Sequence, residues 1–130
     1  MTVYLTAQQI LFIHARLIDA TGGEHGVRDL GLLEAAVARP QVTFSNEDLA
    51  PNLFQKAAAL MESLVQNHPF VDGNKRTAIT AASLFLLQNG HRLETTNEEV
   101  ERFTLWVVNE QPPLEEIAAW FQEHTIDVAR

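Results

Sequence analysis

Residues 68–76 read His68-Pro69-Phe70-Val71-Asp72-Gly73-Asn74-Lys75-Arg76. This stretch combines a proton acceptor, a carboxylate, a glycine turn and two cations. Apolar residues recur at steps of three and four both over residues 53–67 and from Ala78 to Leu87, which predicts a core helix on each side. Asn89-Gly90 is a typical stop signal for the second helix. The polar cluster is therefore predicted to lie in a tight link between two core helices.

The backbone preferences of the link predict where each helix ends and begins. Pro69 disfavours the α conformation in the residue before it, so the first helix should end near Asn67. Asp72-Gly73 is typical of a turn, and Asn74 is a favourable N-cap for the next helix. The unpaired donors of that helix start would be the amides of Gly73, Asn74, Lys75 and Arg76. Such a terminus attracts anions, above all phosphate.

The side chains of the link suit phosphate chemistry. Lys75 and Arg76 add positive charge beside the amides. Asp72 is the carboxylate of the stretch, and it suits Mg²⁺ held between one carboxylate and phosphate oxygens. His68 suits proton abstraction from a hydroxyl, since histidine has an unperturbed pKa of about 6.5. Any one of these residues alone would favour a solvated loop, whereas their combination favours a site.

The stretch resembles the signature of the Fic/Doc superfamily, His-x-Phe-x-(Asp/Glu)-(Gly/Ala)-Asn-(Gly/Lys)-Arg. Residues 74–78, Asn-Lys-Arg-Thr-Ala, more narrowly resemble the Doc ("death on curing") branch. Most Fic enzymes carry glycine in place of Lys75 and a second arginine in place of Ile79. Residues 26–36, His14 and the Gly22-Gly23 pair are also similar to Doc-like proteins, so the resemblance covers most of the chain.

The resemblance implies an all-α fold in which residues 1–130 form a single Fic-type domain of about six helices. Fic proteins carry a hairpin-like flap that lies over the site and positions the target by strand pairing. Residues 41–46 are the candidate flap here, because Val42 and Phe44 alternate with polar residues. An irregular loop with Phe44 inserted in the core is the alternative.

The resemblance also implies an activity, namely ATP-dependent phosphorylation of a threonine on translation elongation factor Tu. His68 would be the base and Asp72 would hold Mg²⁺. Phe70 would anchor the loop in the core. The residues that bind the phosphates of ATP would be Gly73, Asn74, Lys75 and Arg76, with Lys75 and Arg76 also stabilising charge in the transition state.

Two departures from typical Fic enzymes favour a kinase over a nucleotidyl transferase. The glycine that lets phosphates approach the backbone is replaced by Lys75, and the arginine that holds the distal phosphates is replaced by Ile79. A lysine adds bulk and a point charge on that path, so the nucleotide is predicted to present its γ-phosphate. A Fic-type AMP transferase, a non-catalytic nucleotide- or partner-binding module and a small DNA-binding regulator are the alternatives.

Control of such a toxin is predicted to come from a separate antitoxin chain. Many Fic proteins inhibit themselves with a (Ser/Thr)-x-x-x-Glu-(Gly/Asn) helix whose glutamate pairs with the second arginine. Thr43 to Glu47 has this spacing but continues into Asp48, and the arginine is replaced by Ile79. The expected inhibitor is an antitoxin segment that folds as an amphipathic helix into an apolar groove.

Composition limits the other possibilities. At 130 residues the chain has room for one core. A formal net charge of −8 argues against direct nucleic-acid binding. The sequence contains no cysteine, no apolar run long enough to span a membrane and no recognisable signal peptide. These features predict a cytoplasmic protein that binds no membrane.

The remaining helices are predicted from their caps. Thr6 begins the first helix, Asp29 a second that runs to about Ala38, Thr96 another, and Pro112-Pro113 the last. Residues 91–93 are predicted to be a short connector.

The sequence also predicts roles for side chains outside the motif. His14 is predicted to be a hydrogen-bonded core histidine, with a site role as the alternative. Arg28 either pairs with a carboxylate or reaches the site. The residues expected to lie on the surface are His25, His91 and His124, and those expected to pack in the core are Trp106 and Trp120.

Overall fold

The computed structural model describes residues 1–128 and contains six α-helices and four short strands in that range. In chain order the elements are α1 (Ala7–Thr21), α2 (Leu30–Ala38), β1 (Thr43–Phe44), β2 (Glu47–Asp48), α3 (Leu53–Asn67), α4 (Asn74–Gln88), β3 (His91–Leu93), α5 (Asn97–Glu110), α6 (Leu114–Glu123) and β4 (Thr125–Asp127). A 3₁₀ turn, Arg39–Gln41, follows α2. The prediction of an all-α fold of about six helices is confirmed.

The helix starts follow local capping chemistry. Thr6 caps α1 in a capping box with Gln9, and the side chain of Asp29 caps α2 by accepting the N–H of Leu32. Asn52 and Gln55 form a second capping box at the start of α3. These caps fix where α1, α2 and α3 begin.

Helix α3 lies at the centre of the core and packs most extensively against α4 and α6. It is buried along much of its circumference, as expected for a helix surrounded by others. Small side chains at Ala57, Ala58 and Ala59 are fully or nearly fully buried, so neighbouring helices approach closely. This packing holds the C-terminus of α3 and the N-terminus of α4 in fixed positions.

Strands β1 and β2 form an antiparallel hairpin with Thr43 opposite Asp48. Ser45 and Asn46 form its turn, and both have positive φ angles. Phe44 is 73% exposed, so the alternative that inserts Phe44 in the core is wrong. The predicted hairpin exists, and its use as a flap remains a prediction.

The prediction that residues 91–93 are only a connector is wrong. They form β3, which pairs antiparallel with β4 near the end of the chain. His91 packs against the Phe54 ring and His124 stacks on Trp120, so both are partly buried, contrary to their assignment to the surface. His25 is exposed as predicted. Sheet pairing and ring stacking join distant parts of the chain, which local patterns do not reveal.

The predicted packing roles of Trp106 and Trp120 are confirmed, because both pack against the hydrophobic core. Trp120 stacks on Phe103 with ring centroids 3.7 Å apart. None of the helices in residues 1–128 has the length and apolar character needed to cross a membrane.

Candidate active site

The loop between α3 and α4, residues 68–73, is held from outside by the segment that joins α1 to α2. Helix α3 ends at Asn67 as predicted, and His68 adopts a left-handed conformation with φ 48°. The Arg28 guanidinium donates to the carbonyl of Asn67 at 2.7 Å and to that of His68 at 2.6 Å. Arg28 therefore satisfies carbonyls that the end of α3 leaves unpaired. Its role is to fix the backbone that carries the His68 side chain.

Backbone contacts extend this support along the loop. The N–H groups of Arg28 and Asp29 both donate to the Pro69 carbonyl, at 2.8 and 3.1 Å, and the Val71 N–H donates to the Gly26 carbonyl at 3.1 Å. A Cβ atom on Gly23 would lie 2.7 Å from Asp72 Oδ2, so glycine is needed for this close approach. The Gly-rich segment, residues 22–26, therefore packs closely against the loop.

Below the loop, Phe70 and His14 form a buried stack. Phe70 is 1% exposed and His14 is 4% exposed, and their rings are nearly parallel with centroids 3.8 Å apart. His14 Nε2–H donates to the Asp72 carbonyl at 2.7 Å, since a carbonyl can only accept. The predictions of a core anchor at Phe70 and a hydrogen-bonded core histidine at His14 are confirmed. His14 additionally positions the residue predicted to bind metal.

The prediction that Asn74 caps α4 is wrong. Gly73 occupies the cap position with φ 77°, and Asn74 is the first helical residue. Its side chain instead bonds both the N–H and the carbonyl of Phe70, each at 3.0 Å. The Asn74 side chain therefore ties the first residue of α4 to the backbone of the loop at Phe70.

The start of α4 also has fewer unpaired N–H groups for an anion than predicted. The Gly73 N–H already donates to Asp72 Oδ1 at 2.8 Å, so it is not an unpaired donor. The N–H groups of Asn74, Lys75 and Arg76 lie in the first turn of α4, where no earlier helical carbonyl reaches them. These three amides remain suited to an anion.

The two cations of the motif differ in their surroundings. Arg76 donates to the Thr21 hydroxyl and, at 3.3 Å, to the Gly22 carbonyl, which ties α4 to the end of α1. Lys75 is exposed and forms no ion pair with a carboxylate in residues 1–128. Arg76 therefore provides a fixed positive charge and Lys75 an adaptable one.

Asp72 is held as an anion. Its carboxylate accepts the N–H of Glu24 at 3.1 Å and that of Gly73 at 2.8 Å. These two hydrogen bonds lower the pKa of Asp72, with further lowering by the charge of Arg76. Each carboxylate oxygen has one such partner, so lone pairs remain for a cation. This donor set fits Mg²⁺ completed by phosphate oxygens and water.

All of the predicted site residues come together around one cavity of about 310 Å³. Its lining consists of His68, Val71, Asp72, Gly73, Asn74, Lys75 and Arg76. The His68 side chain is exposed. An imidazole, a carboxylate and a cationic helix start thus share a single cleft.

Comparison with known proteins agrees with this geometry. The model of the Fic/DOC family matches residues 4–86, which include the cleft loop and the segment that supports it. The chain belongs to the Fic/DOC family. The toxin Doc of Mycolicibacterium smegmatis (strain ATCC 700084 / mc(2)155) is 54% identical over 93 residues, covering 72% of this chain and 69% of that toxin. The protein kinase doc of Escherichia phage P1 is 33% identical over 87 residues, covering 67% of this chain and 68% of that kinase.

Sequence reasoning missed some contributors to the Fic/DOC cleft. The Glu24 amide, the Thr21 hydroxyl and the Gly22 carbonyl all contact motif side chains. The three glycines of residues 22–26 were the available signal, because they mark backbone that adopts unusual angles or passes close to other atoms.

Proposed function

We propose that this Fic/DOC protein is a toxin that transfers the γ-phosphoryl group of ATP to a threonine hydroxyl of elongation factor Tu and so blocks translation. The observation that carries the proposal is the single cleft formed by His68, Asp72 and the cationic start of α4. The names of its relatives, a toxin and a protein kinase, support it. The replacement of glycine by Lys75 and of arginine by Ile79 favours phosphoryl over nucleotidyl transfer.

His68 is the base in this proposal. Its backbone is fixed by Arg28 and by Pro69, while its imidazole projects into the cleft. The imidazole accepts the threonine proton, the hydroxyl oxygen forms a bond to the γ-phosphorus, and the bond from that phosphorus to the β–γ bridging oxygen breaks. ADP leaves, and the proton on His68 passes to solvent. A base positioned in this way typically contributes about 10²- to 10⁴-fold to a rate.

The rest of the cleft handles negative charge. Asp72 would hold Mg²⁺, and the ion would neutralise negative charge on phosphate oxygens. The first-turn amides of α4 bind the phosphates in a fixed orientation, and a single well-placed donor of this kind contributes about 3 kcal/mol to transition-state stabilisation. Arg76, held by Thr21 and Gly22, needs no rearrangement to contribute its charge. Lys75 is free to follow the phosphate that moves.

A separate antitoxin is the proposed inhibitor. Two segments have the spacing of the self-inhibitory motif, Thr43 to Glu47 and Thr95 to Glu99, but Asp48 and Val100 stand where the motif has Gly or Asn. The first of them lies in the β1–β2 hairpin rather than in a helix. Ile79 stands where the arginine partner of such a helix would be. Both halves of the internal inhibitory ion pair are therefore missing, which supports inhibition by a second chain.

The growth of a bacterial host tests the toxin proposal. Expression of the wild-type chain is expected to arrest growth, and mass spectrometry of the arrested cells is expected to find phosphothreonine on elongation factor Tu. Co-expression of the small neighbouring gene product should relieve the arrest and remove the modification. Normal growth with the soluble wild-type chain expressed alone would contradict the proposal.

A further inference from the structure

Lys56 is a charged residue buried in the core helix α3. It is 3% exposed and shares this helix with the buried side chains of Ala57 and Leu60. A lysine is almost never buried to this extent unless its charge is paired. A methionine of similar length would fill the same space without removing a charge from water. Packing alone therefore does not account for a lysine at this position.

The ammonium group of Lys56 has partners in three different segments of the chain. Its Nζ donates to the Pro40 carbonyl at 3.1 Å and to Asp48 Oδ2 at 3.3 Å, and it lies 5.5 Å from the centre of the Tyr4 ring. Pro40 belongs to the 3₁₀ turn that precedes β1, and Asp48 is the last residue of β2. Lys56 therefore joins α3 to both sides of the open end of the β1–β2 hairpin, the end opposite its turn.

The side chains of the hairpin make few other polar contacts. Residues 41–49 are all exposed, whereas the residues immediately before and after them are buried. Within residues 1–128, the contact between Lys56 and Asp48 is the one side-chain hydrogen bond or ion pair that joins residues 41–49 to another part of the fold. The position of the hairpin relative to the helices therefore depends strongly on this contact.

We propose that Lys56 is a positioning residue that holds the open end of the β1–β2 hairpin, so that the hairpin is already placed when the protein substrate binds. The inference rests on the proposed function for the substrate, and on the contacts of Lys56 for the hairpin. The loop that carries His68 begins where α3 ends, so one continuous helix connects Lys56 to that loop. A hairpin fixed in advance loses less conformational entropy on binding. Lys56 therefore affects affinity for the protein substrate rather than the chemical step.

The two members of the ion pair differ in burial, and this difference decides which one to replace. Asp48 is 45% exposed, so its replacement creates no cavity in the core. The loss of its carboxylate leaves the buried ammonium of Lys56 without an opposite charge, which is strongly unfavourable. Replacement of Lys56 would instead alter the core helix itself. Asp48→Ala is therefore the variant that breaks the contact with the least disturbance to the core.

Amide hydrogen exchange measured by NMR tests the contact without any substrate. The Leu49 N–H donates to the Val42 carbonyl at 3.0 Å at the open end of the hairpin, so its protection factor reports whether this end stays closed. Asp48→Ala is expected to lower the protection factor about tenfold, the factor that corresponds to one hydrogen bond to a charged group. Glu47→Ala is the matched control, because Glu47 is an exposed carboxylate of the same strand that forms no ion pair within residues 1–128. An unchanged protection factor in Asp48→Ala, or an equal fall in both variants, would overturn the inference.

Steady-state kinetics with elongation factor Tu separate positioning from general damage. Asp48→Ala is expected to raise KM for the protein substrate about tenfold, again the factor for one hydrogen bond to a charged group, while kcat and KM for Mg·ATP stay at their wild-type values. Asp48→Glu keeps the carboxylate and should restore KM for the protein substrate. A fall in kcat without a rise in this KM, or a failure of Asp48→Glu to restore it, would overturn the inference. A wild-type chain that modifies no protein would refute the proposed function, and the Leu49 protection factors would still decide whether Lys56 holds the hairpin.

Discussion

Replacement of His68 by alanine is expected to lower the rate of phosphoryl transfer by about 10²- to 10⁴-fold, because it removes the group that accepts the hydroxyl proton. Stability should change little, since the side chain is exposed and only the backbone of His68 is held by Arg28. Initial rates with saturating Mg·ATP and the protein substrate measure the effect. The same variant should also relieve the growth arrest.

His25→Ala is the matched control for this prediction. His25 is exposed and its side chain pairs with Asp19 on α1 at 2.7 Å, and it is not among the residues that line the cleft around His68 and Asp72. Its removal should leave the rate near that of wild type. If His68→Ala kept the wild-type rate, another group would have to be the base and the role assigned to His68 would be wrong.

Phe70→Ala is expected to lower the free energy of unfolding by about 3–5 kcal/mol, the usual cost of removing a fully buried aromatic ring. The variant leaves a cavity against His14, whose ring stacks on Phe70. The hydrogen bonds from the Asn74 side chain to the backbone of residue 70 are kept in this variant, so the expected loss comes from the ring. Thermal or denaturant unfolding measures the loss, with a fall in Tm of about 3–5 °C for each kcal/mol.

Phe44→Ala provides the comparison, since Phe44 is the exposed phenylalanine of the hairpin turn region. Its unfolding free energy should stay within about 0.5 kcal/mol of wild type, as for ordinary surface substitutions. Equal stability of the two variants would contradict the role of Phe70 as the anchor of the active-site loop.

The features that the sequence predicted well depend on nearby residues. Helix α3 ends where Pro69 requires it to end, α1 and α2 begin at Thr6 and Asp29, and the cleft residues follow one another in a single loop. Each of these depends on steric or hydrogen-bonding preferences within a few residues. The residues that line the cleft therefore all come from the nine-residue motif.

The features that the sequence did not predict depend on contacts between distant residues. Arg28 binds carbonyls forty residues away, and β3 pairs with a strand more than thirty residues later. Asn74 is a local exception: it has the chemistry of a helix cap, yet its side-chain amide forms two hydrogen bonds with the backbone of Phe70, four residues earlier. Where two local uses of a side chain are both favourable, the surrounding fold selects between them.

The most direct test of the kinase proposal compares two labelled substrates in parallel reactions. The purified chain, Mg²⁺ and elongation factor Tu are incubated with ATP labelled at either the γ- or the α-phosphate. Because the replacements of glycine by Lys75 and of arginine by Ile79 favour an orientation with the terminal phosphate at His68, label should reach the protein from γ-labelled ATP alone. Transfer of label from the α position alone would contradict the proposal and identify the protein as a nucleotidyl transferase.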